Sequence, residues 1–263
     1  MTSVESSRNA SSLLLAMSGT EERLQFVLGR PGDTGYTVLA SREWTVPGES
    51  IRFLTPGIQE TLRSMNLDVA DIERIACTRG PGSFTGLRLV LAAAEGMAVG
   101  SGAQLAGMDY LSLLASGPGP LLDGVLHVLT YARRGLVYIQ SYSAPAMTEL
   151  EPLASVTLDQ AATRITECAA PCYLIGSGLR KNCDFFQEIE TKLAHCTILP
   201  SRWDNPSPEL LLEAASAADY SHSSIDPIYV RATDAEDNLP SIAKKRGIDP
   251  EKAKRRLTEL QNS

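Results

Sequence analysis

A chain of 263 residues with 43% hydrophobic and 21% charged residues can bury one large core or two modest ones without disulfide or metal staples. Its formal net charge of −7 opposes phosphate-driven binding, so RNA contact is expected only indirectly, through another subunit. No run approaches the roughly 18 apolar residues of a membrane span, and residues 1–12 lack the basic-then-apolar order of a secretory leader, so the expected location is the cytoplasm, with no membrane contact.

Residues 12–17, 23–28 and 36–46 are short apolar or alternating runs separated by Gly, Glu and Pro-Gly, which predicts an antiparallel meander. Ile51, Leu54, Ile58, Leu62 and Met65 then recur at spacings of three and four, the mark of an amphipathic helix, with Pro56 at its start or kinking it. A strand is expected over 74–78, a helix over 84–99, a strand over 104–108 and a helical patch over 110–115. Past Ser116-Gly117-Pro118-Gly119-Pro120 the order begins again. Strands are expected over 125–131, 136–142 and 147–156, then helix 158–168, strand 172–175, helix 179–193, strand 196–199 and helix 209–219. The repetition points to a duplicated α/β architecture with a hinge between the halves.

Chemistry-bearing residues are sparse. Cys77, Cys168, Cys172, Cys183 and Cys196 contain no CxxC pair, and His127, His195 and His222 form no HExxH or HxxxH pair, so the thiols are expected reduced and no metal is expected. The most informative segment is Gly80-Pro81-Gly82-Ser83-Phe84-Thr85-Gly86-Leu87-Arg88. Three glycines and a proline within seven residues specify backbone shape, at an entropic cost. Ser83 or Thr85 can cap the next helix, whose free N–H groups could meet an anion or a partner's carbonyls; a plain strand-to-helix turn is the alternative. From Leu87 to Val99 only Arg88, Glu95 and Gly96 interrupt an apolar run, and Ala92, Ala93, Ala94, Gly96 and Gly100 leave room for a second helix. That pattern fits either a helix covered by another subunit or one wholly inside its own core.

The run from Gly80 to Arg88 resembles the signature of the TsaB (YeaZ) family, and Ala132-Arg133-Arg134-Gly135-Leu136-Val137-Tyr138 and Pro227-Ile228-Tyr229-Val230-Arg231 resemble the start and end of its second half. The resemblance implies an actin-like (ASKHA, RNase H-like) fold, with mixed sheets flanked by helices. It also implies a non-catalytic partner of TsaD, which transfers a threonylcarbamoyl group to the tRNA adenosine beside the anticodon, with TsaE as an ATPase helper. The implied TsaD-binding residues are Ile51, Leu54, Ile58, Leu62, Gly80, Pro81, Gly82, Ser83, Phe84, Thr85, Gly86, Arg88, Val90, Ala93, Ala94 and Met97. The same helices would also serve a homodimer.

Actin-like phosphate loops carry an acid at the end of the first strand; here Met17 precedes Ser18-Gly19-Thr20, and Tyr131 stands where the second half normally has an acid. Phosphoryl transfer by this chain alone is therefore not expected: it has no intrinsic cofactor, and ATP or ADP belongs, if anywhere, to the complex. Gly176-Ser177-Gly178 reads either as a nucleotide-contacting turn or as a strand-to-helix turn. Arg88, Arg133 and Arg134 read either as solvated charges or as contacts to an acidic patch. A stand-alone actin-like ATPase or kinase would need the missing acids, and a glycoprotease-like peptidase would need a metal or nucleophile set. Residues 1–116 and 121–231 are the expected halves. In the tail, 232–263, residues 244–263 hold seven basic and three acidic residues, a net of +4. Asp249 and Pro250 suit the start of a short helix there.

Overall fold

The computed structural model describes residues 12–33, 35–46, 52–168 and 171–230, together with 243–244, 249, 251–252 and 255. In the first half, β1 (Leu13–Ser18), β2 (Arg23–Gly32) and β3 (Gly35–Thr45) form a meander. Helix α1 (Leu54–Ser64), β4 (Ile72–Thr78), α2 (Phe84–Ser101), β5 (Gln104–Met108) and α3 (Tyr110–Ser116) follow. The second half repeats the series with β6 (Gly124–Arg133), β7 (Leu136–Ala144), β8 (Thr148–Thr157), α4 (Leu158–Thr166) and β9 (Cys172–Ile175). It ends with α5 (Ser177–Lys181), α6 (Cys183–Lys192), β10 (Cys196–Ile198) and α7 (Pro208–Ser216).

The sheets have matching topology, β3-β2-β1-β4-β5 and β8-β7-β6-β9-β10. In each, the first three strands run antiparallel and the last two join parallel to the central strand. This is the duplicated actin-like arrangement. Central β1, LLLAMS, is buried at every position, as a strand covered on both faces must be, whereas edge strand β3 has no fully buried residue. Crossover helices carry the local signals that place them. Ser83 Oγ accepts from Gly86 N at the start of α2, and Gly102 ends it in the left-handed region at φ 77°. Thr157 and Gln160 form a capping box at α4. Pro56 sits in the first turn of α1, where its missing N–H costs no bond.

Three cores result. One face of the first sheet packs Leu15, Met17, Phe26 and Ile75 against Leu54, Ile58 and Leu62 of α1 and Val90, Leu91 and Ala94 of α2. Its other face packs Leu14, Ala16, Val27 and Ala76 against Leu211, Leu212 and Ala215 of α7. The third core lies within the second half, around Leu129, Ile139, Ile165, Leu174 and Phe186. The last helix of each half thus crosses over: α7 covers β1 to β3 of the first sheet, while α3 packs on β6 and β7 of the second. The expected helix over 179–193 is two helices, because Asn182 leaves helical geometry at φ −133°, ψ 43° and its side chain caps Gly178 O at 2.8 Å.

Residues up to Ile228 form one compact unit and 229–263 a second. In the second, Asp249 Oδ1 accepts from Glu251 N at 3.0 Å, and Glu251, Lys252 and Arg255 are helical. The remainder of the expected tail helix, like Ile51 and Arg231, lies outside the described residues. Among the described residues no helix is long and apolar enough to cross a membrane.

Candidate functional site

The glycine-rich segment links β4 to α2, and its shape follows from what it touches. A Cβ on Gly82 would lie 2.1 Å from Thr20 O, and one on Gly86 would lie 2.1 Å from Gly19 O. Ser83 N donates to Thr20 O at 2.6 Å, and Thr20 Oγ1 donates to Thr78 Oγ1 at 2.7 Å inside the core. Both glycines therefore let α2 begin directly on the β1–β2 turn, and the Ser83 amide is bonded to that turn while its hydroxyl caps the helix, as the sequence offered. Gly80, at φ 109°, is buried with Pro81, and its carbonyl accepts from Tyr110 N at 3.0 Å.

Beyond this turn the residues singled out by sequence divide in two. Leu54, Ile58, Leu62, Val90 and Ala94 are each at most 3% exposed and belong to the chain's own core; only Ile58 of these also reaches the surface groove described next. Ser83, Phe84, Thr85 and Arg88 face solvent at the start of α2, with the Arg88 guanidinium 3.9 Å from the centre of the Phe84 ring. Ala93 and Met97 are half-buried, and Ala92, Gly96, Val99 and Gly100 are exposed, Val99 at 89%. Thr55, Ile58 and Gln59 of α1 face Ala93, Gly96, Met97 and Gly100 of α2 across a groove of about 360 Å³, with Val69 in its wall. A Cβ on Gly96 or Gly100 would meet nothing within 4 Å. Nothing described in the chain needs those glycines small.

A second location is the contact between the halves, where the resemblance would place nucleotide. Met17 is wholly buried in the first core. Instead Glu21, on the β1–β2 turn, reaches across: its carboxylate accepts from Tyr110 OH at 3.0 Å and from Ser177 Oγ of the second half. Ser177 Oγ in turn accepts from Tyr131 N at 2.9 Å. Burial pushes the Glu21 pKa up to about 7, against the two hydrogen bonds, with Asp204 and Glu22 adding repulsion. Lys181 pairs with Glu22 at 2.7 Å, and Asp204 accepts from Gly176 N and binds Arg180, both within 2.8 Å. Gly176 and Gly178 are explained by β6, since Cβ atoms there would lie 2.2 Å and 2.9 Å from Leu129 O. This supports the strand-to-helix reading of that turn. Sequence reasoning missed Glu21 and Tyr110, and it singled out Ser177 only as part of the Gly176–Gly178 turn; the signal for Glu21 was an acid directly after Gly19-Thr20.

The family model described as TsaD: tRNA N6-adenosine threonylcarbamoyltransferase matches residues 49–170. The tRNA threonylcarbamoyladenosine biosynthesis protein TsaB of Escherichia coli is 35% identical over 98 residues, 36% of this chain and 42% of that protein, so in this match the chain spans under half of its relative. TsaB of Bacillus subtilis is 24% identical over 205 residues, 74% of this chain and 89% of that protein. YeaZ from Pseudomonas aeruginosa superposes with a TM-score of 0.64 at 19% identity, over 83% of this chain and 99% of that one. The chain is thus similar in sequence to TsaB proteins and shares the fold of YeaZ over most of its length.

Proposed function

We propose that this chain acts in tRNA threonylcarbamoyladenosine biosynthesis as a non-catalytic scaffold that binds a TsaD homologue through the outer face of α1 and α2. The carrying observation is the apolar, glycine-notched face of α2 and the groove it forms with α1. Small residues there permit the close helix approach that gives an apolar contact most of its dispersion energy. The TsaD family match over 49–170 includes both helices, as expected where paired subunits share related elements. The partner performs the threonylcarbamoyl transfer to the adenosine beside the anticodon, a TsaE homologue joins the larger complex, and tRNA is met indirectly. The free chain forms a homodimer through the same face.

The contact between the halves supports the non-catalytic reading. Met17 and Tyr131 replace acids, and the Glu21 carboxylate bridges the halves where phosphates would enter. Nucleotide therefore associates only in the assembled complex. The test is Gly96→Leu. In the free chain the side chain enters open space, and removing a mid-helix glycine stabilises by up to about 1 kcal/mol. The melting temperature should hold or rise, while affinity for the TsaD homologue should fall at least tenfold, about 1.4 kcal/mol. Unchanged affinity would place the interface elsewhere.

A further inference from the structure

We propose that Cys168, Cys172 and Cys196 form an oxidisable thiol relay at the edge of the second sheet, in which Cys168 is oxidised by hydrogen peroxide and a Cys172–Cys196 disulfide is the product. Cys172 of β9 and Cys196 of β10 are direct register partners in neighbouring parallel strands. Neighbouring strands stand about 4.7–4.9 Å apart, inside the Cα range of about 4.4–6.8 Å that a disulfide spans. Both side chains enter the same core cluster, and Cys168 packs against that cluster, so all three sulfurs share one face.

The exposure gradient orders them. Cys168, just past the end of α4, is half-buried, whereas Cys172 and Cys196 are 0% and 5% exposed. Cys172 is the middle member, hydrogen-bonded to Cys196 on one side and Cys168 on the other. The hydrogen bond from Cys172 lowers the pKa of Cys196 and leaves the proton on Cys172, which favours Cys196 as the attacking thiolate.

In the first step the Cys168 thiolate attacks the peroxide O–O bond. An S–O bond forms, the O–O bond breaks, and the leaving hydroxide takes a proton to become water, with sulfur oxidised by two electrons to the sulfenic acid. Cys172 then attacks that sulfur; the S–O bond breaks, and hydroxide leaves with the Cys172 proton as a second water. Finally Cys196 attacks Cys172, and Cys168 departs and recovers the proton lost by Cys196. The balance is two thiols and one peroxide giving one disulfide and two waters.

The test uses the full chain carrying Cys183→Ser, which removes the exposed competing thiol. After hydrogen peroxide treatment at neutral pH, free thiols are blocked with N-ethylmaleimide and peptides are mapped by mass spectrometry without reduction. The expected product links Cys172 to Cys196 and leaves Cys168 alkylated. Adding Cys168→Ser, or Cys168→Ala should the first variant melt early, should slow that linkage at least tenfold. Sulfinic or sulfonic acid on Cys168 with both other thiols free would overturn the proposal. So would a linkage that forms at the same rate without Cys168.

Discussion

Glu21, like the neighbouring Glu22–Lys181 pair, joins the two halves through a titratable group, and its stability contribution depends on pH with a definite sign. Its pKa is about 7 in the fold against a usual carboxylate value near 4.3. Between those values the native state holds the proton more often than the unfolded state, so stability falls as pH rises, then levels above 7. His127 works the other way. Burial lowers its pKa to about 4, so its contribution is lost as pH falls from about 6.5 towards 4, and the two offset each other over the shared window. The clean measurement is therefore a difference. Glu21→Gln keeps a carbonyl acceptor for Tyr110 OH and an amide donor for Ser177 Oγ. Its melting temperature minus that of wild type should grow from pH 4.5 to 7 and then level, by differential scanning calorimetry. A flat difference would mean that the Glu21 carboxyl is solvated.

At the scale of elements, α2 has one apolar face covered by the chain's own core and a second that the proposal gives to a partner, and a charge placed on each tests that assignment. Ala94 is 0% exposed beneath α2, so Ala94→Asp buries an unpaired carboxylate in the core, costing several kcal/mol of folding stability. Ala92 is exposed and Met97 half-buried at the groove. There Asp should leave thermal melting near wild type yet weaken association with the TsaD homologue, by titration calorimetry. Collapse of Ala92→Asp, or normal binding by both outer variants, would remove α2 as the docking face. The sequence made this helix legible as an apolar element but not its division of labour, since periodicity cannot say which apolar face is covered by the same chain. Element order was legible in both halves because each strand and helix carries its own period and punctuation. The break at Asn182 was not, since the apolar spacing runs through α5 and α6 and only the backbone turn separates them. Gly82 and Gly86 illustrate the same limit at the motif: spacing announced an unusual turn, whereas the reason, the Gly19 and Thr20 carbonyls some 60 residues earlier, is a long-range contact.

For the whole molecule, the boundary near 116–121 divides the chain by sequence order but not by packing. Leu211 and Leu212, at most 1% exposed, come from the end of the second half and fill the face of the first sheet beside Leu14, Ala16 and Val27. Leu212 packs so closely that a Cβ on Gly29 would lie 2.5 Å from its Cδ1. Ser221 bridges to Leu105, and Ile225 joins the first core. Burying one leucine contributes about 1.5–3 kcal/mol, and removing α7 would also strip cover from the strands beneath it. That loss rivals a typical total stability of about 5–15 kcal/mol. Two truncations should therefore behave oppositely. Ending the chain after residue 232 leaves the described members of all three cores in place, the last being Ile225, so the melting temperature should shift by no more than about 2 °C. Ending it after residue 206 removes α7, the Ser221 bridge and Ile225 together, and should abolish cooperative melting of the first half. That half should then bind a hydrophobic dye as the sheet face opens. A cooperative transition surviving in the chain that ends after residue 206 would mean that the first sheet is held by α1 and α2 alone and that the crossing helices are not what binds the halves into one unit.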